Sequence, residues 1–431
     1  MATDAPLKSK LVESIFFNYF GTIAAALGPL LALPVYLGVL GKAQWGMMSV
    51  VMTVMALLIM VDGGLSQVLV REFALRSREH GQQSQPVRSL LASCQALYGA
   101  LAVALALALA MSSGWIARHW LNLTADIHSQ EATQLLMTSA LLVGTQLFAA
   151  LPRSLLLAVD LHRPLNVSIA IGHVFRYGVG AGVVWLWHSL QWLLVWYVIV
   201  AMAEGAVRYA MAWRAVGTHG WRGSASWPEI RHLLPGAVKM SLAVVLSGLT
   251  TQMDKLILTK MVTLDQVGIY AIASSAALGL LSLTYPMIQA VFPTLLAVHG
   301  NKSQIRKIFL TWLTLGVAGA ALTMALYIWL GHAVLNLWLR NDEIAVAVYP
   351  VLLVLLIGTL LNVIYQVGYV GWMLEANYRM PLIISICSVV LTALLTPVLV
   401  RHEGIMGAAA GWLLINALGL LLSLSWFRKI V

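Results

Sequence analysis

Thr250-Thr-Gln-Met-Asp-Lys-Leu-Ile-Leu-Thr-Lys-Met-Val-Thr-Leu-Asp-Gln-Val-Gly-Ile-Tyr270 decides how the chain is read. It closes one long apolar run and opens the next. It holds an adjacent acid and base, Asp254 and Lys255, in apolar surroundings. Its Gln266-Val-Gly268 has a counterpart in Gln44-Trp-Gly46, and each follows a long apolar run. A second echo joins Asp160-Leu-His-Arg-Pro-Leu165 to Asn377-Tyr-Arg-Met-Pro-Leu382. Both members fall in the turn between the fourth and fifth predicted helices of their half. Two matches at corresponding positions, with an even helix count per half, indicate two parallel repeats.

The runs around this stretch belong in a bilayer. Hydrophobic residues make up 60% of the 431 and charged residues 10%, with a mean hydropathy of +0.86. A soluble domain carries about 25% charged residues. A hydrocarbon core about 30 Å thick takes about 20 apolar residues per helix, and such runs follow one another almost end to end. A spanning β-barrel would alternate polar and apolar residues, whereas these runs are continuous and rich in Leu, Ala, Val and Gly. The expected fold is all-α and integral to the membrane, with about twelve transmembrane helices in two six-helix lobes. The predicted spans are 12–40, 45–72, 88–113, 130–158, 164–188 and 190–215, then 234–261, 266–297, 304–331, 344–374, 380–400 and 404–427. Residues 1–215 form the N-terminal lobe, 216–234 a polar cytoplasmic linker and 235–431 the C-terminal lobe.

Charge sets the orientation. With the N-terminus inside, cytoplasmic connections collect clusters such as Arg71, Arg76, Arg78 and Arg88, or Lys302, Arg306 and Lys307. The opposite side receives Lys42, Arg118, Lys260, Arg340 and Arg401. That asymmetry puts both termini in the cytoplasm. It also accounts for the net charge of +10, so nucleic acid is not expected as a partner. Cys94 and Cys387 both fall in apolar segments, which suggests neither a disulfide framework nor a metal site. Lys8 and Lys10 precede an apolar run in the manner of a signal peptide. That run is too long and carries two prolines, so it is read as an uncleaved first helix.

Several short motifs then bring a family into view. Asn18-Tyr19 before Pro29 and Pro34, Leu40-Gly41 with Trp45-Gly46, Asp62-Gly-Gly-Leu65 and Arg71-Glu72 resemble the opening of polysaccharide flippases. Asp254-Lys-Leu-Ile-Leu258 followed by Val267-Gly-Ile-Tyr270 is similar to that family's second-half signature, and Gly404-Ile-Met-Gly-Ala-Ala409 to the start of its last helix. The superfamily is that of the multidrug/oligosaccharidyl-lipid/polysaccharide exporters, and the branch is the Wzx-type O-antigen flippase. The resemblance implies two six-helix lobes around a central cavity that alternates between inward- and outward-facing states. It implies a bacterial inner membrane, a lipid-linked sugar as cargo and membrane lipid as surroundings. A polysaccharide polymerase and a chain-length regulator for lipopolysaccharide would be its partners.

The expected substrate, an undecaprenyl-diphosphate-linked oligosaccharide, has a charged hydrated head and an apolar tail. A chamber that lowers the cost of moving the head must offer cations at membrane depth. Arg176, near the centre of the fifth helix, is the foremost candidate. A charge there costs about 2.5 kcal/mol or more unless it faces a cavity or a partner, and Glu204 on the sixth helix is the alternative partner. His173 could add a donor or proton site, or be packed as a core polar residue. Asp254 could face the cavity while Lys255 snorkels to the outer interface; a structural bond to a neighbouring helix is the other reading. Asp62 could take a proton or sodium ion for coupling, or hold the backbone where Gly63-Gly64 loosens it. Asn18, Gln252 and Asn362 could bond sugar hydroxyls or neighbouring helices. Pro29 and Pro34 in the first helix, and Pro286 with Pro293 in the eighth, would kink helices that in the family fold border a lateral opening.

Three functional classes follow. The first is a non-enzymatic flippase needing no cofactor. The second is a cation-coupled antiporter of small amphipathic compounds, with Asp62, Asp254 and Glu204 as coupling acids. The third, a membrane enzyme, is disfavoured by short outer loops and by the lack of a nucleophile–base or metal-ligand cluster.

Overall fold

The computed structural model describes the backbone of residues 4–123, 127–217, 225–282, 295, 301–375 and 379–430, and their side chains outside 4–26, 243, 247, 302 and 425–430. Among these the chain is helical and has no strand. This follows from the solvent: without water to satisfy them, backbone amides and carbonyls bond within their own segment.

The first helical stretch, Asp4–His80, is broken at Gly41, where φ is 80° and ψ 176°. We label its parts α1 (4–40) and α2 (42–80). Next come α3 (Gln85–Trp120), α4 (Ser129–Ala158), α5 (His162–Trp187) and α6 (Leu190–Ala215). The remainder are α7 (Trp227–Met261), α8 (Leu264–Ser282), α9 (Lys302–Leu339), α10 (Asp342–Leu374), α11 (Arg379–Glu403) and α12 (Ile405–Ile430). Ten described helices are long and apolar enough to cross a membrane, and eleven if the bent pair within α7 counts as one span. Leu27–His80 counts there once although Gly41 divides it, which is consistent with twelve. The chain is thus a multi-pass membrane protein. Many apolar side chains point outward, such as Met111, Trp329 and Leu337, as lipid-facing helices require.

Local chemistry fixes the helix ends. Asn301 and Asn341 cap α9 and α10 by accepting from the backbone N–H of Gln304 and Ile344 at 3.2 and 3.1 Å. α5 and α9 end on left-handed residues, His188 and Arg340. Pro29 and Pro34 lie inside α1 as the sequence indicates. α1 keeps helical angles through both prolines, and the interruption falls at Gly41 instead. Neighbouring helices and local adjustment satisfy the carbonyls that a proline frees in a membrane helix. Pro286 and Pro293 lie outside the described residues.

The chain divides into two compact units, Met1–Leu40 with Val51–Gly248, and Gly41–Val50 with Leu249–Val431. In the first, α2, α3, α4 and α6 enclose Leu69, Phe73, Leu90, Leu91, Leu155 and Trp213. In the second, α10 packs against α8, α9 and α12, around Phe309, Trp312, Val367, Val370 and Trp372. The second unit also brings the two Gln-x-Gly motifs together. A Cβ on Gly46 would run into the carbonyl of Leu264, and one on Gly268 would sit 2.7 Å from the carbonyl of Lys42. Only glycine lets α2 and α8 start this close.

Candidate functional site

The first unit holds a polar chamber of about 720 Å³, walled by α2, α4, α5 and α6. Asp62, Ser66 and Gln67 reach it from α2, and Gln146, Arg153 and Ser154 from α4. Asn166, His173 and Arg176 come from α5, and Glu204 and Arg208 from α6.

Arg176 owes its position to an irregularity in α5. Residues Val174–Val179 form a π-helical turn, the kind of single-turn widening common at functional sites. Two carbonyls of this turn take donors from other helices. Trp196 Nε1 donates to Phe175 at 2.9 Å, and the Tyr36 hydroxyl donates to Tyr177 at 3.3 Å. The Arg176 guanidinium bonds Glu204 Oε2 at 3.0 Å and lies 6.0 Å from the Tyr197 ring centre. Arg208, one turn beyond Glu204, approaches the same oxygen at 3.4 Å. Gly172 creates the space, since a Cβ there would collide with the Glu204 carboxylate. Arg176 therefore both lines a cavity and pairs with Glu204.

The pairing leaves donors unused. A guanidinium offers five N–H donors, and Arg176 Nε has no partner. His173 Nδ1 also lacks one, while its ring stacks on Tyr177 at 5.7 Å. Three arginines, Arg153, Arg176 and Arg208, face two carboxylates, Asp62 and Glu204, so basic groups outnumber acidic ones in the chamber. Asp62 accepts hydroxyl bonds from Ser66, at 2.8 Å, and from Tyr98 of α3. It is tied across helices and still borders the chamber.

The candidates in the second unit behave differently. Asp254 is buried, accepting from Tyr270 and from the Lys255 amide. Lys255 does not snorkel as expected: it is buried, and its ammonium donates to the Thr251 carbonyl at 3.2 Å. The space beside them is about 10 Å³, at the lower limit for a single water, so side chains of α7, α8, α10 and α12 leave no room there for a larger ligand. Asn362 donates to Asn416 at 2.6 Å and accepts from Gln366 at 2.9 Å, an interhelical bond rather than an open donor. Gln252 is half-buried in the same unit and does not line the chamber. The side chain of Asn18 lies outside the described residues.

Sequence reading singled out Arg176, Glu204, His173 and Asp62, which the fold brings to one chamber. It missed Arg208, Arg153 and Tyr98. The Glu204–Arg208 spacing of four inside an apolar helix was the available signal.

The family model described as polysaccharide biosynthesis protein matches residues 11–299. The chain belongs to that family. Several solved transporters share its fold. "Lipid II flippase MurJ, inward closed conformation" matches with a TM-score of 0.76 at 13% identity, covering 97% of this chain and 90% of that one. An inward-facing multidrug resistance MATE transporter of the MOP superfamily gives 0.73 at 13%, covering 94% and 95%. A MOP superfamily transporter from Pyrococcus furiosus gives 0.62 at 12%, covering 98% and 95%. At such identities the likeness is one of fold. No curated protein sequence matches the chain.

Proposed function

We propose that this member of the polysaccharide biosynthesis family is a flippase. It moves undecaprenyl-diphosphate-linked oligosaccharide, an O-antigen or other surface-polysaccharide repeat unit, across the bacterial inner membrane by alternating access. No covalent step is involved. The observation that carries this reading is the chamber in which Arg153, Arg176 and Arg208 meet among apolar helices. A diphosphate needs cations once it leaves water, and guanidinium groups bind phosphate oxygens bidentately. Glu204 holds Arg176 and Arg208 in place without using up their donors. Gln67 and Gln146 add amides at the same walls for sugar hydroxyls.

Asp62 is the candidate for proton or sodium coupling, because it is the chamber carboxylate without an ion pair at bonding distance. The Lys/Arg bias supports cytoplasmic termini. The product would then appear on the outer face, where a polymerase and a chain-length regulator could take it up. The second reading, a cation-coupled drug antiporter, draws on the same Asp62. It is weaker, because a cationic drug would meet three arginines.

Deletion of the gene tests the proposal. Cells should lose surface polysaccharide and accumulate undecaprenyl-linked repeat units on the cytoplasmic face. Normal polysaccharide with altered drug sensitivity would favour the antiporter and overturn the flippase reading.

A further inference from the structure

A second cavity, of about 450 Å³, opens in the same unit between α1 and α5. Leu27, Leu31 and Val35 line it from α1, and Val174, Gly178 and Ala181 from α5. The α1 residues recur every four positions and so share one helix face. Leu31 is 70% exposed and Val174 65%, so this groove is open and apolar where the chamber is polar. The two meet at His173, which lines both. The boundary between them is the π-helical turn of α5: Arg176 faces the chamber, while Val174 and Gly178 face the groove. Close by, Gly28 lets the Tyr177 ring rest against α1, since a Cβ there would lie 2.7 Å from its Cδ2.

We infer that the α1–α5 groove seats the isoprenoid tail of the lipid carrier, the tail leaving the chamber past His173 within the first unit. This rests on the substrate reading above. A diphosphate held by Arg176 is covalently joined to its tail, so the tail must find apolar surroundings within a few bonds of the chamber wall. The groove begins there. Burying a lipid tail out of lipid brings no hydrophobic gain, because the bilayer is equally apolar. What favours the carrier over a bilayer acyl chain is tethering: once the head is bound, the tail binds as an intramolecular event at high effective concentration.

The test uses the full-length protein in nanodiscs of phosphatidylethanolamine and phosphatidylglycerol, with undecaprenyl diphosphate and inorganic diphosphate as probes. Wild type should bind the undecaprenyl form about tenfold or more tighter than the inorganic one. Leu27→Trp and Leu31→Trp, each filling the groove from an exposed position on α1, should reduce that affinity about tenfold. Both should leave inorganic diphosphate binding unchanged, which also reports an intact chamber. Wild-type affinity for undecaprenyl diphosphate in both variants, or equal binding of the two probes by wild type, would place the tail elsewhere or give the groove to an ordinary acyl chain. Either result overturns the inference and leaves the chamber standing. No diphosphate binding by wild type would overturn the substrate reading and this inference with it.

Discussion

Glu204 accepts from a guanidinium on its own helix and from one on α5, and the packing around it shows how narrowly the site is built. Gly172 faces its carboxylate with no room for a Cβ, whereas Gly182, ten residues along α5, has nothing within 4 Å. Gly172→Ala should therefore displace Glu204 and release Arg176, at an overpacking cost of about 1–3 kcal/mol. We expect a lower melting temperature and lost complementation for Gly172→Ala, and neither for Gly182→Ala. Equal behaviour of the two would mean Glu204 is not constrained there. Arg176 and Glu204 were legible in the sequence because a charge in an apolar run demands an explanation. Arg153 was not. It sits beside the break at Ala149–Ala150 and reads as an ordinary cytoplasmic loop cation, and only the fold turns it towards the chamber. For Asp254 and Lys255 the sequence left a cavity role and a structural bond open. Their charges are as conspicuous as Arg176, yet Tyr270 and the Thr251 carbonyl satisfy them in a packed interior.

Among the elements, the meeting of α2 and α8 is the most tightly specified. Gln44-Trp-Gly46 and Gln266-Val-Gly268 stood out as counterparts in two repeats. That they are also neighbours depends on backbone approach, which no periodicity encodes. The same crossing explains why residues 41–50 group with the second unit. Gly46→Ala would press a methyl group on the Leu264 carbonyl, while Gly38→Ala meets open space. The first should destabilise the protein by about 1–3 kcal/mol, read as a lower melting temperature in detergent, and the second should not. A tolerated Gly46→Ala would argue against that crossing. The π-helical turn of α5 lay beyond sequence reading as well, because Val174–Val179 differs from its flanks in no pattern of polarity. Its consequence is that one helix wall serves a polar chamber and an apolar groove.

For the whole molecule, hydropathy was enough to recover an all-α, multi-pass membrane fold, since a bilayer leaves a helix few alternatives. Orientation rests on the distribution of Lys and Arg and can be measured. In a background with Cys387 replaced by Ser, Arg78→Cys should react with a membrane-impermeant maleimide only from the cytoplasmic side. Arg340→Cys should react only from the other. Both positions are exposed, so labelling from the reverse sides would invert the topology and put the wrong face of the chamber towards the donor leaflet. The central claim is that arginines within the first unit carry the diphosphate head through the membrane. It is tested most directly by purified protein in liposomes loaded with fluorescent undecaprenyl-diphosphate-linked sugar, following the appearance of the sugar in the opposite leaflet. We predict translocation by wild type and a rate about tenfold lower or less for Arg176→Ala, as expected when one charge-assisted contact to the moving head is lost. Translocation by Arg176→Ala at the wild-type rate would contradict the account.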